Sequence, residues 1–435
     1  MVAKTFFSYY NNRVSLNKLN IMGQLEIITG LDIGSSNIRV VNLQRQPDNS
    51  WQIVGAAERP AEGVAKGMVT NIEDLVSAIS EVLEQSERMT GLPIESAVVG
   101  ISGTHIRTLE SNGVVAVAKA DKEITEEDVS RAIEAAQAVA RPANYEILHV
   151  VPKDFTVDNQ PGIKDPVGMT GVRLEVATQI IIGLSSQIKN LTKCVYRAGI
   201  DVDDLVFGIL ACSESTLTKQ QKELGVALVN IGSQTTTMIV YEEGEALHTA
   251  VLPVGSNHIT ADLAIGLRTS IETAESIKLE LVNLDMRKVS KRDEIDLAKY
   301  SGAEKERTMV SLKHVCEIAR ARSEEILSLV DKELKKINRS GLLPSGVVLS
   351  GGGSKLAGLI ELAKEKFKLP VFEGRPLGAE ESPVDKVNDP AYAVALGLAV
   401  WGTQGAVKRG RIKIKFSSID EVVGKIKEWL GSLLP

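Results

Sequence analysis

The sequence contains few cysteines and few aromatic residues. Only three of its 435 residues are cysteines, Cys194, Cys212 and Cys316, and they are far apart. An odd, scattered set of this kind is typical of reduced, buried thiols in the cytosol and not of a disulfide framework. No Cys/His spacing is typical of a zinc site. Aromatic residues make up 4% of the chain, too few to predict a platform that stacks the bases of single-stranded nucleic acid.

The chain also lacks a positive net charge, a secretion signal and a membrane-spanning apolar run. Its net charge is −6, so the surface as a whole does not suit a polyanion, and we predict no nucleic-acid partner. The most apolar stretch starts at Ala391 and runs for about 12 residues, whereas a spanning helix needs about 20. Residues 1–24 contain no continuous apolar core of a signal peptide. We predict a disordered N-terminal extension there, or a true start at Met22.

The length of the chain and its changes of pattern predict two large units and a small insert. A chain of 435 residues exceeds one ordinary core, so two or more domains are expected. Residues 25–43 and the stretch from Val226 have the pattern of β-hairpins. Between them, at 94–178, a helix that starts with a capping-box pattern at Thr125 is accompanied by strands without a glycine-rich turn. This order predicts an α+β insert.

Two turns of small residues carry the main functional signal. The first, "DIGSSN" at 32–37, and the second, "NIGSQTTT" at 230–237, lie about 200 residues apart. Such turns expose backbone N–H groups and hydroxyls with little bulk, a geometry that wraps phosphate oxygens. One copy alone is typical of a tight structural turn, but two copies predict half-domains that close on a nucleotide from both sides. A third stretch, "LSGGGSKLAG" at 349–358, predicts the adenosine side, with a helix from about Lys355 whose N-terminus points into the cleft.

The order of these three elements resembles the actin-like ATPase superfamily. More specific segments resemble the FtsA family of bacterial cell-division proteins: "ILHVVPKDFTVDNQPGIKDPVGMTGVRLEV" from Ile147, "RAGIDVDDLVFGILACSESTL" from Arg197 and "LPVGSNHITADLAIGL" from Leu252. The resemblance runs from about Gln24 to the last residue. It implies an α/β, two-lobed actin-like fold built from duplicated ribonuclease-H-like domains, with a small α+β insert in the first lobe and a C-terminal amphipathic helix.

The resemblance also implies domain boundaries and nucleotide-site residues. The boundaries are 25–93 and 179–212 with about 385–402 for the first lobe, 94–178 for the insert, 213–384 for the second lobe, 403–416 for a basic linker and 417–435 for a membrane-targeting helix. The residues implied to contact ATP are Gly34, Ser35, Ser36, Asn37, Gly232, Ser233, Gln234, Thr235, Thr236, Gly255, Asn257, Glu275, Lys278, Gly351, Gly352, Gly353 and Ser354. Asp32 is implied to hold Mg²⁺ through water.

The second turn departs from the superfamily pattern at its first position. Members of the superfamily usually have an acid there and then a Gly-Gly-Gly-Thr-like turn, whereas this chain has Asn230, with Ser233 and Gln234 in the turn. An amide accepts a hydrogen bond but brings no charge to a hard divalent cation. We therefore predict ATP binding with weakened metal coordination and at most very slow hydrolysis. The alternative is that Asn230 only satisfies backbone groups at the strand end.

The family implies a cytoskeletal adaptor. FtsA-like proteins bind ATP, form actin-like filaments at the cytoplasmic face of the membrane at the septum, tether the FtsZ C-terminal peptide and recruit later division proteins. Arg320 and Arg322, on a predicted helix at about 309–338, resemble the basic positions used for the FtsZ peptide. The alternative for both is a solvated helix face. Two other functions share the fold: a PilM-like ATP-binding protein of type IV pilus assembly, and a sugar-kinase-type phosphotransferase.

Residues 417–435 have the pattern of an amphipathic helix, with a capping box at Ser418 and Glu421. Its apolar face consists of Ile419, Val422, Val423, Ile426, Trp429, Leu430, Leu433 and Leu434. The linker before this helix is basic, and a cationic tether joined to an apolar helix face favours an anionic membrane surface. Docking of the helix on the protein's own core is the alternative.

Overall fold

The computed structural model describes residues 26–118, 121–138, 142–290, 292–300, 308–379 and 382–406. The predicted N-terminal extension at 1–24, the predicted membrane-targeting helix at 417–435 and residues 407–416 of the predicted linker lie outside the described residues. Within the described ranges, no helix has the length and apolar character that crossing a membrane requires.

The strands are β1 Ile27–Ile33, β2 Asn37–Arg45, β3 Trp51–Pro60, β4 Val64–Ala65, β5 Met68–Val69, β6 Ser96–Ile101, β7 Ile106–Ala116, β8 Tyr145–Val157, β9 Gln160–Ile163, β10 Arg173–Leu184, β11 Asp201–Phe207, β12 Val226–Ile231, β13 Thr236–Glu242, β14 Glu245–Leu252, β15 Glu294–Asp296, β16 Met309–Ser311, β17 Val347–Ser350 and β18 Val371–Glu373. The α-helices are α1 Ile72–Thr90, α2 Glu126–Gln137, α3 Ser185–Arg197, α4 Gly208–Thr216, α5 Lys219–Leu224, α6 Ser256–Leu267, α7 Ile271–Leu281, α8 Leu312–Lys336, α9 Leu359–Phe367 and α10 Ala393–Ala406.

Two five-stranded sheets of the same design form the two lobes. The first has the order β11-β6-β1-β2-β3 and the second β14-β13-β12-β17-β18. In each sheet an antiparallel meander is extended by a strand parallel to its first member, β6 beside β1 and β17 beside β12. This repetition confirms the predicted two-lobed α/β fold of duplicated domains. It also makes β1 and β12, which carry Asp32 and Asn230, structurally equivalent.

Helices α1 and α10 pack on opposite faces of the first sheet. Val40 of β2 lies in the core that contains Leu75 of α1, whereas its neighbour Val41 lies in a cluster with Ala395 of α10. Consecutive strand residues point to opposite faces, so both faces are buried. The backbone of α10 approaches β1 closely, because a Cβ at Gly30 would lie 2.2 Å from the Ala395 carbonyl oxygen. Helix α10 thus completes the first lobe.

Two predicted boundaries fall inside helices. The predicted start of the second lobe at residue 213 lies within α4, and the predicted start of the linker at 403 lies within α10. Helix α4 is buried between the two sheets, since its Cys212 shares a core with Val206 of the first sheet and Val226 of the second. A helix that packs against both lobes continues across the boundary between them, and the chain pattern does not reveal such two-sided packing.

The inserted unit starts and ends later than predicted. Strand β6 pairs with β1 and β11 in the first-lobe sheet, so residues 96–101 belong to that lobe. The insert has its own sheet, of order β7-β10-β8-β9, and its own core beneath α2, which begins with the capping box at Thr125. Its strand β10 continues to Leu184, beyond the predicted end at 178. The error at β6 has a physical origin, because a short apolar strand does not show from its residues which sheet it joins.

Candidate nucleotide-binding site

The β1–β2 and β12–β13 hairpins contain the same tight turn. In the first, the Gly34 N–H donates to the Asn37 carbonyl oxygen (3.1 Å), and in the second the Gly232 N–H donates to the Thr235 carbonyl oxygen (2.9 Å). A Cβ at either glycine would lie too close to that same carbonyl oxygen, at 2.7 and 2.9 Å. The chain therefore repeats one backbone device that depends on glycine in both lobes.

Both turns face one cavity of about 420 Å³ between the lobes. This volume falls in the range of small-molecule sites. The structure brings Asp32, Asn230 and most of the predicted ATP-contacting residues to its lining. These are Gly34, Ser35, Ser36, Asn37, Gly232, Ser233, Gln234, Thr235, Asn257, Glu275, Lys278, Gly351, Gly352 and Gly353.

Thr236, Gly255 and Ser354, which were also predicted to contact ATP, are not part of the cavity lining. The Thr236 hydroxyl donates to the Val254 carbonyl oxygen (2.8 Å), and the Ser354 hydroxyl donates to the Gly351 carbonyl oxygen (2.7 Å). Gly255 lies against the second turn, because a Cβ there would be 2.6 Å from a carbonyl oxygen of that turn. All three residues therefore stabilise the loops that line the cavity without lining it themselves.

The glycines after β17 bring a third loop against the second hairpin. Gly351 has a φ of +83°, and a Cβ there would lie 2.1 Å from Asn230 Oδ1, so only glycine fits. The following residues form a single 3₁₀ turn, Gly352–Lys355. The predicted helix from about residue 355, with its N-terminus in the cleft, is therefore wrong. Helix α9 begins only after Gly358, whose φ of +80° separates it from the turn.

Helix α7 contributes a buried lysine, paired with a partly exposed glutamate, to the lining. Lys278 Nζ donates to Glu275 Oε2 (2.6 Å) and to Thr260 Oγ1 (2.9 Å), and the Thr260 hydroxyl donates to the same Glu275 oxygen (2.5 Å). The Lys278 side chain is 6% exposed, so its charge needs the compensation that Glu275 provides. Thr260 is absent from the predicted residues because only the packing of α6 on α7 brings it to this pair.

The residues at the ends of the two equivalent strands differ in charge. Burial raises the pKa of Asp32 to about 6, and the charge of nearby Arg39 opposes that shift. Asn230 is neutral, and its Oδ1 faces the backbone of Gly351. Arg39 also lines the cavity and is not among the predicted site residues. A usable signal exists, because the register of a hairpin that turns at 34–36 places Arg39 opposite Asp32.

The oxygen donors at this end of the cavity fit Mg²⁺. One carboxylate, one amide oxygen and the hydroxyls of the turns suit a hard cation that keeps several waters and shares phosphate oxygens with the protein. Among the described residues, no group of three or more His, Cys, Asp and Glu side chains could hold a metal ion. Asp32 is suited to hold a hydrated Mg²⁺ that arrives with phosphate.

The turn between β4 and β5 contacts both the β1–β2 and the β12–β13 hairpin. The Lys66 N–H donates to Gln234 Oε1 of the second hairpin (2.7 Å), and the Gly67 N–H donates to Ser35 Oγ of the first (3.0 Å). This contact between the lobes is absent from the predictions. Nothing in the sequence marks it, because Lys66 and Gln234 lie 168 residues apart.

Arg320 and Arg322 lie on α8 and are not part of the cavity lining. The helix begins at 312 and not at 309, because β16 pairs with β15 just before it. Arg320 Nη2 donates to Glu365 Oε2 (3.1 Å), and Arg322 Nε donates to Asp262 Oδ2 (2.6 Å). Both guanidinium groups are therefore paired with carboxylates of the protein itself.

A doubled sheet with one glycine hairpin per lobe at a shared cleft defines the class of actin-like nucleotide-binding proteins, and solved structures of that class have a similar fold. MreB5 of Spiroplasma citri bound to ADP has a TM-score of 0.52 at 12% identity, covering 88% of this chain and 99% of that one. A chain of the PilM–PilN type IV pilus biogenesis complex has a TM-score of 0.63 at 19% identity, covering 86% and 98%. These likenesses concern the fold alone.

Family models and relatives narrow the class. Models described as "SHS2 domain inserted in FTSA" and "Cell division protein FtsA" match residues 103–182 and 227–397. "Cell division protein FtsA" of Pseudomonas aeruginosa is 37% identical over 421 residues, covering 93% of this chain and 97% of that protein. The protein of the same name from Bacillus subtilis is 38% identical over 407 residues, covering 93% and 90%. The chain belongs to the FtsA family of actin-like cell-division proteins, as its sequence predicts.

Proposed function

We propose that the chain is an ATP-dependent, filament-forming adaptor that anchors the FtsZ ring to the membrane at the septum and helps to recruit later division proteins. The observation that carries the proposal is the convergence of two glycine hairpins and the Gly351–Gly353 loop on one cavity, in a chain of the FtsA family. A ligand gripped by both lobes favours the closed arrangement, so nucleotide binding can control the shape that a filament repeats.

The cavity lining supports ATP as the ligand. Backbone N–H groups and hydroxyls of the two turns are available to phosphate oxygens, and Glu275 and Lys278 of α7 face the nucleoside in this assignment. Asp32 would hold Mg²⁺ through water, and the ion would neutralise phosphate charge. Asn230 contributes only an amide oxygen, so we expect turnover slower than about 1 s⁻¹, the low end of ordinary enzymes.

The FtsZ C-terminal peptide is proposed to bind on α8. Arg320 and Arg322 are already paired with Glu365 and Asp262, so an acidic peptide would exchange one set of carboxylates for another. Such an exchange gains little from charge alone, because exposed ion pairs contribute about 0–1 kcal/mol. We therefore expect modest, salt-sensitive binding, with a peptide affinity that falls in the Arg320→Ala/Arg322→Ala variant.

The insert and the tail are proposed to connect the filament to its surroundings. The insert, β7 to β10 with α2, has its own core and suits a module for filament contacts and for later division proteins. The apolar face of 417–435 and the basic residues before it suit an anchor on the cytoplasmic face of an anionic membrane. One tail binds weakly, and a filament with many tails gains through effective concentration.

Co-sedimentation with anionic vesicles tests this function. We expect weak, salt-sensitive binding of the full chain without nucleotide and much stronger binding with ATP and Mg²⁺. Removal of 417–435, or the substitution Trp429→Glu, should abolish sedimentation with vesicles while ATP binding remains. Undiminished sedimentation of both variants would overturn the proposed anchor, and absence of ATP binding to the full chain would overturn the nucleotide assignment.

A PilM-like function is the second candidate, because the PilM–PilN structure has a TM-score of 0.63. The 37% and 38% identities to cell-division proteins over most of the chain favour the first candidate. A direct comparison separates the two. We expect the chain to bind an FtsZ C-terminal peptide in preference to a peptide of a PilN-type protein, and the reverse preference would favour the pilus function.

A further inference from the structure

Arg39 shares the cavity side of the first-lobe sheet with Asp32. The two residues are directly opposite in the register of β1 and β2. Directly opposed residues of an antiparallel pair have side chains on the same face, with Cβ atoms about 5 Å apart. Both line the cavity. Arg39 and the carboxylate to which the Mg²⁺ role is assigned therefore share one face of the sheet at the cavity.

Contacts on one edge hold the Arg39 side chain in place. Its Nε donates to Glu58 Oε2 (2.9 Å), and the other oxygen of Glu58 accepts from Asn37 Nδ2 (2.7 Å). The guanidinium carbon lies 5.5 Å from the centre of the Tyr392 ring, within the range of a cation–π contact. Only 17% of the side chain is exposed. The group is oriented before a ligand arrives, which reduces the entropy lost on binding.

The terminal nitrogens of Arg39 remain available on the other edge. Within the part of the chain that the structure describes, only Nε of this guanidinium makes a hydrogen bond. The two lysines of the lining differ, because Lys278 donates to Glu275 (2.6 Å) and Lys355 donates to Asp389 (2.5 Å). The free edge of a guanidinium is a planar fork whose two N–H groups match two oxygens of a phosphate.

The second lobe increases the need for a cation from the protein. Asn230 stands at the position equivalent to Asp32, so one carboxylate and not two is available to water on a divalent cation. Backbone N–H groups of the turns carry only partial charges. A full positive charge beside the turns therefore matters more in this cleft than in one with two acids.

We propose that Arg39 is a phosphate-binding residue of the cleft, which donates from Nη1 and Nη2 to the terminal phosphates of the nucleotide and makes binding less dependent on Mg²⁺. This inference rests on the proposed function, because it requires a nucleoside triphosphate in the cavity. Glu58 then acts as the positioning residue. The competing explanation is a structural ion pair that joins β2 to β3 without touching the ligand.

Calorimetric titration of the full chain with ATP and with AMP, each in Mg²⁺ and in EDTA, separates these explanations. The test variant is Arg39→Gln, and Arg39→Gln/Glu58→Gln removes the carboxylate that the single substitution leaves unpaired. Arg45→Gln is the matched control on the same strand. Arg45 also pairs with a carboxylate, Glu26 (3.0 Å), and also lies over an aromatic ring, Trp51 (5.9 Å), but it does not line the cavity.

We expect both Arg39 variants to bind ATP more weakly than the unsubstituted chain by on the order of 10-fold or more, the usual effect of losing charge-assisted bonds. The loss should be larger in EDTA than in Mg²⁺, and AMP binding and the Arg45→Gln control should change little. Equal losses for ATP and AMP, unchanged ATP affinity, or a loss no larger in EDTA would overturn the inference. If the unsubstituted chain itself fails to bind ATP, the proposed function fails first.

Discussion

The hairpin of the first lobe and the hairpin of the second lobe make the same turn with different side chains around it. In each, a glycine N–H donates to a carbonyl oxygen three residues on, at 3.1 and 2.9 Å. Across the strands, Asp32 opposes Arg39 in the first hairpin, whereas Asn230 opposes Thr237 in the second. At these positions the backbone is duplicated, and the ionisable groups belong to the first lobe.

This difference separates two requirements of a phosphate site. Wrapping phosphate oxygens needs small residues and exposed N–H groups, and a grip from both sides needs them twice. Holding a divalent cation needs a negatively charged side chain, and one lobe is enough to supply it. If the cleft is the proposed phosphate site, Asp32 and Arg39 of the first lobe supply charged groups to it, whereas Asn230 of the second lobe adds none.

The largest expected effect comes from breaking either turn. In Gly34→Ala and Gly232→Ala, the new Cβ would lie 2.7 and 2.9 Å from a backbone carbonyl oxygen. Because the two turns are alike, each variant should lose ATP binding and about 1–3 kcal/mol of stability. Calorimetric titration measures the binding, and thermal unfolding measures the stability. Gly352→Ala is the control, since a Cβ there meets no atom within 4 Å, and it should unfold like the unsubstituted chain. A stable variant at only one of the two turns would contradict their equivalence.

The Asp32 carboxyl should make the free energy of unfolding depend on pH, whereas the neutral Asn230 at the equivalent position should not. Burial raises the pKa of Asp32 from 3.8 to about 6. The unfolded chain loses this proton near pH 4 and the folded chain only near pH 6, so the free energy of unfolding falls as pH rises between those values. In Asp32→Asn, without metal or nucleotide, the decline between these pH values should be smaller by about 2 kcal/mol.

Asp48→Asn is the control for the pH series. Hydrogen bonds from Ser50 hold the pKa of Asp48 below its usual value, so that variant should keep the decline between pH 4 and pH 6. If the free energy of unfolding changed with pH in the same way for Asp32→Asn and for the unsubstituted chain across this range, Asp32 would not retain its proton.

Restoring the second acid should increase hydrolysis. Asn230→Asp places a carboxylate opposite Thr237 and gives water on Mg²⁺ a second charged acceptor, so we expect ATP turnover to rise on the order of 10-fold. Phosphate release with ATP and Mg²⁺ is the measurement. Thr237→Ser, on the facing strand, is the control and should leave turnover unchanged. Turnover of Asn230→Asp at the rate of the unsubstituted chain would mean that the missing charge does not limit hydrolysis.

The smallest expected effect concerns the contact between the lobes. Gln234→Ala removes the acceptor of the Lys66 N–H (2.7 Å), so nucleotide release should become a few-fold faster, in keeping with one hydrogen bond. Gln187→Ala removes the acceptor of the Val69 N–H (2.9 Å) in the same small hairpin but within the first lobe. Stopped-flow displacement of a fluorescent nucleotide should show faster release only for Gln234→Ala. If nucleotide release were equally fast in the two variants, the effect would come from the β4–β5 hairpin in general and not from its hydrogen bond to the second lobe.

The local parts of the site could be predicted from the sequence. The glycine turns and the capping box at Thr125 depend on residues within a few positions of one another. Even Arg39 was within reach, because a tight hairpin turn sets the register of its two strands. The prediction of a helix from about Lys355 was wrong for a reason that is also local, because Gly358 adopts a left-handed conformation and the helix begins only after it.

The non-local parts could not be predicted. Strand β6 has the same apolar character whether it joins the insert or the first lobe, and its pairing with β1 decides the matter. The support of Arg39 combines Glu58 on the next strand with Tyr392 near the end of the chain. Such contacts depend on how distant segments pack, and the sequence pattern carries no direct record of that.

The sequence by itself therefore determined the duplicated hairpins, their glycines, the loss of the acid at Asn230 and the family, because each depends on neighbouring residues or on similarity along the chain. Only the tertiary structure decided that α4 packs against both sheets, that the β4–β5 turn joins both hairpins, and that Arg39 presents a free edge to the cavity. The physical reason is distance along the chain. Hydrogen bonds within a turn form between residues a few positions apart, whereas a cavity between lobes exists only when segments more than a hundred residues apart pack together.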